Sequence, residues 1–343
     1  MDKNFNSLCD SLVSLIEGSS RILLTTHYNP DGDGLGASQA FFHYLNDIGK
    51  DVRIIVDSTI SHPYDTLDIT SDVEVYNTDS DAPWCVNVDL VIVFDIGDLK
   101  RIGRVYDVVS RESVKTVSID HHPPRNNDLV DLDIIYHEAP ATGYIVWKYL
   151  NSISIYDQGY PVKIASPLYM SLVTDTGSFK YSNTTSDAHI MAANLIDSGV
   201  KGYEIQRSIY EQQKLVSIIL LAKVVQRLKH SENMKAVWTI ITQSMLNEIG
   251  ATQNDIDGVT EYIRSIKDVE ISFMILELSD GSFRINFRSS GNYSVNDIAE
   301  IFNGGGHKFA AGARLDDSYD ISRIESIIIE KINEKIPGEI NVN

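Results

Sequence analysis

The chain has 343 residues, 43% hydrophobic and 22% charged, which is the balance of a globular protein long enough for two domains. Its 48 acidic residues outnumber its 29 basic ones, giving a net charge of −19. This excess argues against a long nucleic acid as partner, because surfaces that track such strands carry many lysines and arginines. No apolar run approaches the ~20 residues that cross a bilayer. The N-terminus lacks a secretion signal and the two cysteines, Cys9 and Cys85, form no disulfide pattern, so we expect a cytoplasmic protein without a membrane partner.

The first part of the chain alternates strand and helix patterns. Strands are predicted at 21–26, 51–56, 89–94 and 114–119. Helices are predicted at 34–48, 141–151, 161–175 and 185–197. Short continuous apolar runs are typical of buried parallel strands. The alternation therefore predicts a doubly wound α/β domain with a mainly parallel sheet.

The second part begins after a long helical stretch at 203–229 and a polar segment at 231–234. Its predicted strands cover 236–242, 269–278 and 282–289, the last two joined by the hairpin signal Asp280-Gly281. Its predicted helices cover 255–266, capped by Asp255, then 293–302 and 319–335. We therefore predict a first domain over 1–200, a helical linker over 201–234 and a smaller α/β domain over 235–343.

Acids and histidines follow four of the apolar runs in the first part. The four groups are His27 with Asp31 and Asp33, Asp95 with Asp98, Asp120 with His121 and His122, and Asp175. Side chains just past the carboxyl ends of parallel strands share one crevice, where several carboxylates repel one another unless cations hold them together. Each group alone has a simpler explanation, as a turn or a helix cap. Four groups within residues 27–175 favour a metal cluster.

The residue types narrow the chemistry of this cluster. Carboxylate and imidazole without thiolate suit Mn, Mg, Fe or Zn better than copper or an iron–sulfur cluster. With four aspartates available, one can bridge two ions, as in the two-metal sites used for phosphoryl chemistry. The chain has neither a phosphate-cradling Walker loop nor a Rossmann glycine fingerprint, so the sequence does not support an NTP-driven or dehydrogenase function.

These motifs together resemble the DHH phosphoesterases, and within them the NrnA-like oligoribonuclease and pAp-phosphatase branch. The resemblance extends over nearly the whole chain and rests on His27 to Ser38, Asp95 to Asp98, Asp120-His121-His122, Asp175 to Thr185, Phe287-Arg288-Ser289 and Gly304 to Gly312. One departure follows the two histidines, where the family often has a small residue and then Asn. This chain has Pro123-Pro124-Arg125 there, and the role of that loop stays open.

The resemblance implies a site with two divalent metal ions, manganese first, with magnesium or cobalt as alternatives. One ion would be bound by His27, Asp31 and the bridging Asp95, and the other by Asp33, Asp95, His121 and Asp175. Such ions lie about 3.5–4 Å apart and can activate a hydroxide that attacks phosphorus in line. His122 would contact the phosphate or protonate the leaving oxygen, so Asp95 and His122 are the predicted catalytic residues. Asp98 and Asp120 would orient the ligands.

The resemblance further assigns substrate binding to the second domain. The predicted contacts are His122 from the first domain and Arg288, Ser289, Gly304, Gly305, Gly306 and His307 from the second. Exposed glycine N–H groups can form an anion-binding nest, although tight packing explains a glycine run equally well. The expected activity is hydrolysis of very short oligoribonucleotides or dinucleotides (nanoRNA, pApA-like) and of pAp, held in an interdomain cleft.

Other functions remain open from the sequence. A polyphosphate or pyrophosphate hydrolase uses a similar metal constellation, and a cyclic dinucleotide phosphodiesterase is a third activity of the same kind. A binding protein that kept the fold and lost the chemistry is the alternative from another class. A homodimer is compatible with the sequence.

Overall fold

A computed structural model describes residues 3–122, 129–256 and 258–336, so the segment Pro123-Pro124-Arg125 lies outside the described residues. The chain forms two compact units, Met1–Gln212 and Gln213–Asn343. The stretch 201–234, predicted as a linker, contributes a helix to each unit. Within the described ranges, no helix is both long enough and apolar enough to cross a membrane.

The first unit is built on a six-stranded sheet in which every pairing is parallel. Its strands are β1 (Arg21–Thr25), β2 (Asp51–Val56), β3 (Val73–Val75), β4 (Leu90–Phe94), β5 (Lys115–Asp120) and β6 (Leu132–Ile135). Their order is β3-β2-β1-β4-β5-β6. The doubly wound parallel sheet predicted from the sequence is therefore confirmed.

Helices surround this sheet. They are α1 (Lys3–Gly18), α2 (Gly32–Asp47), α3 (Thr78–Cys85), α4 (Tyr106–Val109), α5 (Thr142–Ser152), α6 (Val162–Asp175), α7 (Ser186–Asp197) and α8 (Gly202–Tyr210), with α7 and α8 packed against other helices. Helix α1, which was not predicted from the sequence, buries Cys9, Leu12 and Ile16 on one face at helical spacing. Cys9 and Cys85 are both buried free thiols.

The strand order places a switch point between β1 and β4. Chain order runs outward from β1 in one direction and from β4 in the other, and ligands in such sheets bind in the crevice at that point. His27 lies two residues after β1, and Asp95 directly follows β4. Asp175, by contrast, is the last residue of helix α6, so the apolar run before it is helical.

The second unit contains a mixed six-stranded sheet with the order β11-β12-β10-β9-β8-β7. Its strands are β7 (Lys229–His230), β8 (Ala236–Ile241), β9 (Ile271–Glu277), β10 (Phe283–Ser289), β11 (Gly305–His307) and β12 (Ala310–Leu315). Its helices are α9 (Leu215–Gln226), α10 (Gln243–Ile249), α11 (Val259–Arg264), α12 (Asn296–Glu300) and α13 (Ile321–Lys335). Strands β9 and β10 are antiparallel, as the Asp280-Gly281 signal predicted.

Two predicted helices of this part were wrong in extent. The stretch 203–229 is divided between α8 and α9. The predicted helix capped by Asp255 does not begin there, because Asp255 lies in a 3-10 turn and accepts hydrogen bonds from Thr252. Helix α11 starts only after Gly258, whose φ of 83° is left-handed and interrupts a right-handed helix. The glycine-rich strands β11 and β12 were not predicted.

Candidate metal centre

The turn between β1 and α2 carries Asp31 and Asp33 at the start of the helix. Asp31 caps α2, since its Oδ1 accepts from the N–H groups of Asp33 (3.0 Å) and Gly34 (3.2 Å). A Cβ on Gly34 would lie 2.2 Å from the hydroxyl of Thr26, and one on Gly32 would lie 2.5 Å from the side chain of Thr174. Only glycine therefore allows this turn to pack so closely, and the packing fixes where both aspartates lie.

Asp95 lies at the centre of the site. It follows a completely buried strand and has a left-handed backbone with φ of 56°, a conformation that is uncommon for non-glycine residues and frequent at functional sites. Its carboxylate is only 4% exposed. One oxygen, Oδ2, lies 3.7 Å from Nε2 of His27, and the other, Oδ1, lies 3.6 Å from Nε2 of His121. Asp95 thus faces a different histidine with each oxygen.

The six predicted ligands fall into two groups that meet at Asp95. Ligand atoms of His27, Asp31 and Asp95 lie within 4.8 Å of one another, and so do those of Asp33, His121 and Asp175. The nitrogen–oxygen distances from each histidine to the acids are 3.6–3.7 Å, too long for hydrogen bonds. When two donor atoms bind the same ion, each at about 2.1 Å from it, they lie about 3.0–3.6 Å from each other. The nitrogen–oxygen distances here are close to that range.

The two imidazoles are oriented as metal ligands. Nδ1 of His27 lies 2.9 Å from the carbonyl oxygen of Tyr28, and Nδ1 of His121 lies 3.1 Å from that of Ala139. A carbonyl can only accept, so each Nδ1 carries a proton, and in the neutral form of each ring the Nε2 lone pair would face the carboxylates. Lone pairs and carboxylate oxygens facing one another need a cation between them, and the residues therefore fit divalent metal ions.

Three of the four acids have raised pKa values, whereas His27 outweighs burial at Asp31 and lowers the pKa of that residue. Burial, followed by the charges of Asp33 and Asp31, raises the pKa of Asp95 well above its ordinary range. Burial also raises the pKa of Asp33, and burial with the neighbouring Asp33 raises the pKa of Asp175 to about 7. Bound cations would remove this repulsion and keep all of the acids ionised.

Several residues that the sequence analysis did not single out hold the acids in place. The N–H groups of Thr142 and Gly143, at the start of α5, donate to the two oxygens of Asp33 at 2.7 and 3.1 Å. The hydroxyl of Ser171 donates to the same carboxylate. The side chain of Asn183 donates to Asp175 at 3.1 Å. The only sequence signal for the first contact is the small-residue start of a predicted helix, which does not reveal its partner.

His122 and Asp120 pair beside the predicted ligands and adjoin Asp95 and His121, since Nδ1 of His122 also lies 3.3 Å from Oδ1 of Asp95. Nδ1 of His122 lies 2.8 Å from Oδ1 of Asp120, which also accepts from the backbone N–H groups of His121 and His122. Asp120 is buried, whereas the side chain of His122 is 34% exposed. Burial opposes ionisation of Asp120, but His122 outweighs it and lowers the pKa of Asp120. Asp98 starts the 3-10 turn 99–105 by accepting from Lys100 N–H at 3.1 Å.

The predicted contacts of the second unit lie on β10, β11 and the turn before β11. A Cβ on Gly304 would lie 2.2 Å from the oxygen of Gly312, and one on Gly306 would lie 2.6 Å from that of Ala310, whereas Gly305 has open space. Gly304 and Gly306 are therefore required by packing. Arg288 is half-buried and His307 exposed, while Ser289 is buried and its hydroxyl accepts from the N–H of Gly291.

Each of the two units matches a known protein-family model. The model of the DHH family, N-terminal domain, matches residues 21–173, and the DHHA1 domain model matches residues 219–336. The chain is 26% identical to the bifunctional oligoribonuclease and PAP phosphatase NrnA of Thermus thermophilus over 333 residues, covering 96% of this chain and 94% of that protein. It is 27% identical to the NrnA of Bacillus subtilis over 306 residues, covering 89% and 92%.

Solved structures share the fold. An exopolyphosphatase-related protein from Bacteroides fragilis superposes with a TM-score of 0.88 at 24% identity, covering 96% of both chains. The exonuclease RecJ bound to manganese superposes with a TM-score of 0.56 at 14% identity, covering 98% of this chain and 95% of RecJ. With the two matched domains and the buried cluster of acids and histidines, the chain belongs to the DHH family of metal-dependent phosphoesterases.

Proposed function

We propose that this protein hydrolyses very short oligoribonucleotides and dinucleotides such as pApA, and removes phosphate from pAp, at a site with two divalent ions. The observation that carries the proposal is the position of Asp95, whose two oxygens face two differently placed histidines. This is the arrangement that a bridging ligand in a two-metal site requires. The names of the curated relatives, oligoribonuclease and PAP phosphatase, support the substrate class.

Each ion would have its own set of ligands. His27, Asp31 and Asp95 would bind one ion, and Asp33, Asp95, His121 and Asp175 the other, with manganese as the first candidate. Bound ions supply Lewis acidity that activates water and offsets charge on the phosphoryl oxygens. The chain itself supports the ligands, because the N-terminus of α5 and Ser171 fix Asp33, and the carbonyls of Tyr28 and Ala139 fix the histidine tautomers.

His122 is the residue proposed to act on the substrate directly. Asp120 holds its Nδ1, so the other ring nitrogen, Nε2, is available for a phosphate oxygen or for the oxygen that leaves. A protonated imidazole in this position can donate a proton to the leaving oxygen in the transition state. In this role His122 is a proton donor and not a metal ligand.

The second unit is proposed to bind the end of the substrate that does not react. Arg288 and His307, with Ser289 and the glycine run 304–306, would contact its terminal phosphate or base, because a guanidinium matches phosphate oxygens in pairs. In this division of labour a DHH catalytic domain over 1–200 is joined by the stretch 201–234 to a substrate-binding domain over 235–343. The net charge of −19 favours short substrates over long ones.

A substrate panel tests the proposal. Purified protein would be assayed with Mn²⁺ or with EDTA on pApA, pAp, a cyclic dinucleotide, pyrophosphate and a 24-residue RNA. We expect Mn²⁺-dependent hydrolysis of pApA and pAp, with the long RNA cleaved at least about tenfold more slowly because the chain lacks an extended basic surface. Faster hydrolysis of pyrophosphate than of pApA would contradict the proposal and favour the pyrophosphatase alternative. Asp95→Asn serves as the inactive control.

A further inference from the structure

The register of the second sheet places two of the proposed substrate contacts on one face. Residues that pair directly across antiparallel strands point to the same side of the sheet. The pairs of β10 with β12 and of β12 with β11 define three rows: Arg288–Ala310–His307, Asn286–Gly312–Gly305 and Arg284–Arg314. Asn286 and Arg284 therefore lie on the same face as Arg288 and His307, in the next rows along the sheet.

On this face helix α11 covers β9 and contacts part of β10, whereas the residues of the three rows on β12 and β11 are half-buried or exposed. On the opposite face, Phe283, Ile285 and Phe287 of β10 are buried in the core. Arg284 and Asn286 are only half-buried. In these rows β12 and β11 contribute the small residues Ala310, Gly312 and Gly305. The surface beside Asn286 is therefore formed mainly by the backbone of the two strands, which we call the glycine floor. Neighbouring β9 residues on this side, Met274 and Leu276, are covered by the apolar side chains of α9 to α11.

Polar groups on this face have unused hydrogen-bonding capacity. A Cβ on Gly312 would lie 3.7 Å from Oδ1 of Asn286, so the amide of Asn286 lies over Gly312. Within the described part of the chain this amide has no hydrogen-bond partner, and Nε of Arg284 is buried without one. Arg314 in the same row is already paired with Asp280 at 2.7 Å. A buried donor without a partner, such as Nε of Arg284, is rare and calls for a ligand or water.

We propose that Asn286, with Arg284 beside it, forms a nucleobase subsite that favours adenine, next to the phosphate contact at Arg288. This subsite rests on the proposed function, whose substrates carry a base beside the phosphate. The amide of Asn286 offers one donor and one acceptor, which pair with the acceptor N7 and the donor N6 of adenine. The glycine floor lets a planar base lie against the backbone. Asn286 lies two residues before Arg288, about 7 Å away along the strand, which is comparable with the span from phosphate to base in one nucleotide.

Binding without metal tests the subsite independently of catalysis. In EDTA, the wild-type chain should bind AMP more tightly than GMP or ribose 5-phosphate in calorimetric titration. Asn286→Ala should weaken AMP binding by about tenfold, the discrimination expected of one amide–base pair, and leave ribose 5-phosphate binding unchanged. Asn194→Ala, which alters an exposed asparagine of α7, is the matched control and should behave as wild type.

A second variant fills the proposed space without disturbing the fold. A Cβ on Gly305 meets nothing within 4 Å and the residue has no left-handed φ, so Gly305→Leu should fold normally while blocking a base above Gly312. It should lower kcat/KM for pApA and leave kcat/KM for bis-nitrophenyl phosphate unchanged, whereas Gly18→Leu, also in open space, should change neither.

The outcomes separate this inference from the proposed function. Equal binding of AMP and ribose 5-phosphate by the wild type, or an unchanged preference in Asn286→Ala with an unchanged melting temperature, would overturn the subsite even if pApA is hydrolysed. Adenine-selective binding that is lost in both variants, together with no hydrolysis of pApA or pAp, would support the subsite and overturn the proposed function.

Discussion

The candidate metal centre of the first unit and the face of β10 to β12 in the second unit carry opposite kinds of charge. The first gathers four aspartates around two histidines, and burial raises the pKa values of Asp95, Asp33 and Asp175. The second places half-buried arginine and asparagine side chains beside glycine on one face of a sheet. A buried cluster of one sign needs cations to be stable, while a basic face is ready for an anionic ligand. We therefore expect substitutions in the metal centre to reduce hydrolysis of every substrate. Substitutions on the face of the second unit should reduce hydrolysis of nucleotides only.

The largest effect is expected from Asp95→Asn, which keeps the size of the side chain and removes its charge. Since Asp95 alone faces both histidines, its loss should empty or separate the ion pair. We expect kcat/KM for pApA to fall by more than about a thousandfold, beyond the roughly 10–100-fold typical of residues that only support a ligand. Metal analysis of the variant should find fewer than two ions per chain. Two retained ions would refute the bridging role, and Asp197→Asn, on the exposed end of α7, is the control.

His122→Ala should reduce turnover while leaving the ions bound. Its Nδ1 is held by Asp120, so the variant removes a proton donor and should cost roughly 100-fold or more in kcat. Metal content and kcat on pApA are the measurements, with His230→Ala as the control from the second unit. If His122→Ala loses metal and His121→Ala does not, the two histidines have exchanged roles.

Arg288→Ala and His307→Ala should distinguish the two regions by substrate. Loss of one charge-assisted phosphate contact costs about 2 kcal/mol, or roughly thirtyfold in kcat/KM for pApA. Hydrolysis of bis-nitrophenyl phosphate should be spared, because a small ester cannot use binding energy from the second unit. Arg314→Ala, on the same face two rows away and outside the proposed contacts, is the matched control. Equal losses on both substrates, with a lowered melting temperature, would mean that these residues only stabilise the fold.

The smallest expected effect is on how the melting temperature depends on pH. Burial and Asp33 raise the pKa of Asp175 to about 7, so the metal-free protein gains stability from the protonated acid at low pH and loses it as pH rises through 7. Mn²⁺ removes this penalty, so the increase in Tm on adding Mn²⁺ should be larger at pH 8 than at pH 5.5 by a few degrees. Thermal melts with EDTA and with Mn²⁺ measure it. Asp175→Asn should flatten the pH dependence of the metal-free Tm, and an unchanged dependence would contradict the assignment.

Much of the fold could be predicted because its signals are local. The apolar runs of β1, β4 and β5, and the acids that follow them, are contiguous in sequence, so the parallel sheet and a cluster of acids and histidines could be predicted, while the family resemblance supplied the six candidate ligands. The structure brings those six side chains into two groups that share Asp95. Elements whose residues lack a strand pattern, such as β11 with two consecutive glycines, were missed because pairing with β12 and not local preference makes them strands.

By itself, the sequence determined the fold class, the kinds of ligand and the turn that carries Asp31 and Asp33, because each depends on neighbouring residues. Only the tertiary structure decided which groups hold those ligands and what lies beside Arg288. Thr142 reaches Asp33 across 109 positions of the chain, and Asn286 faces Gly312 through the register of two strands. Such contacts depend on how distant segments pack, and packing follows from the shape and burial of the whole unit, which no local pattern encodes.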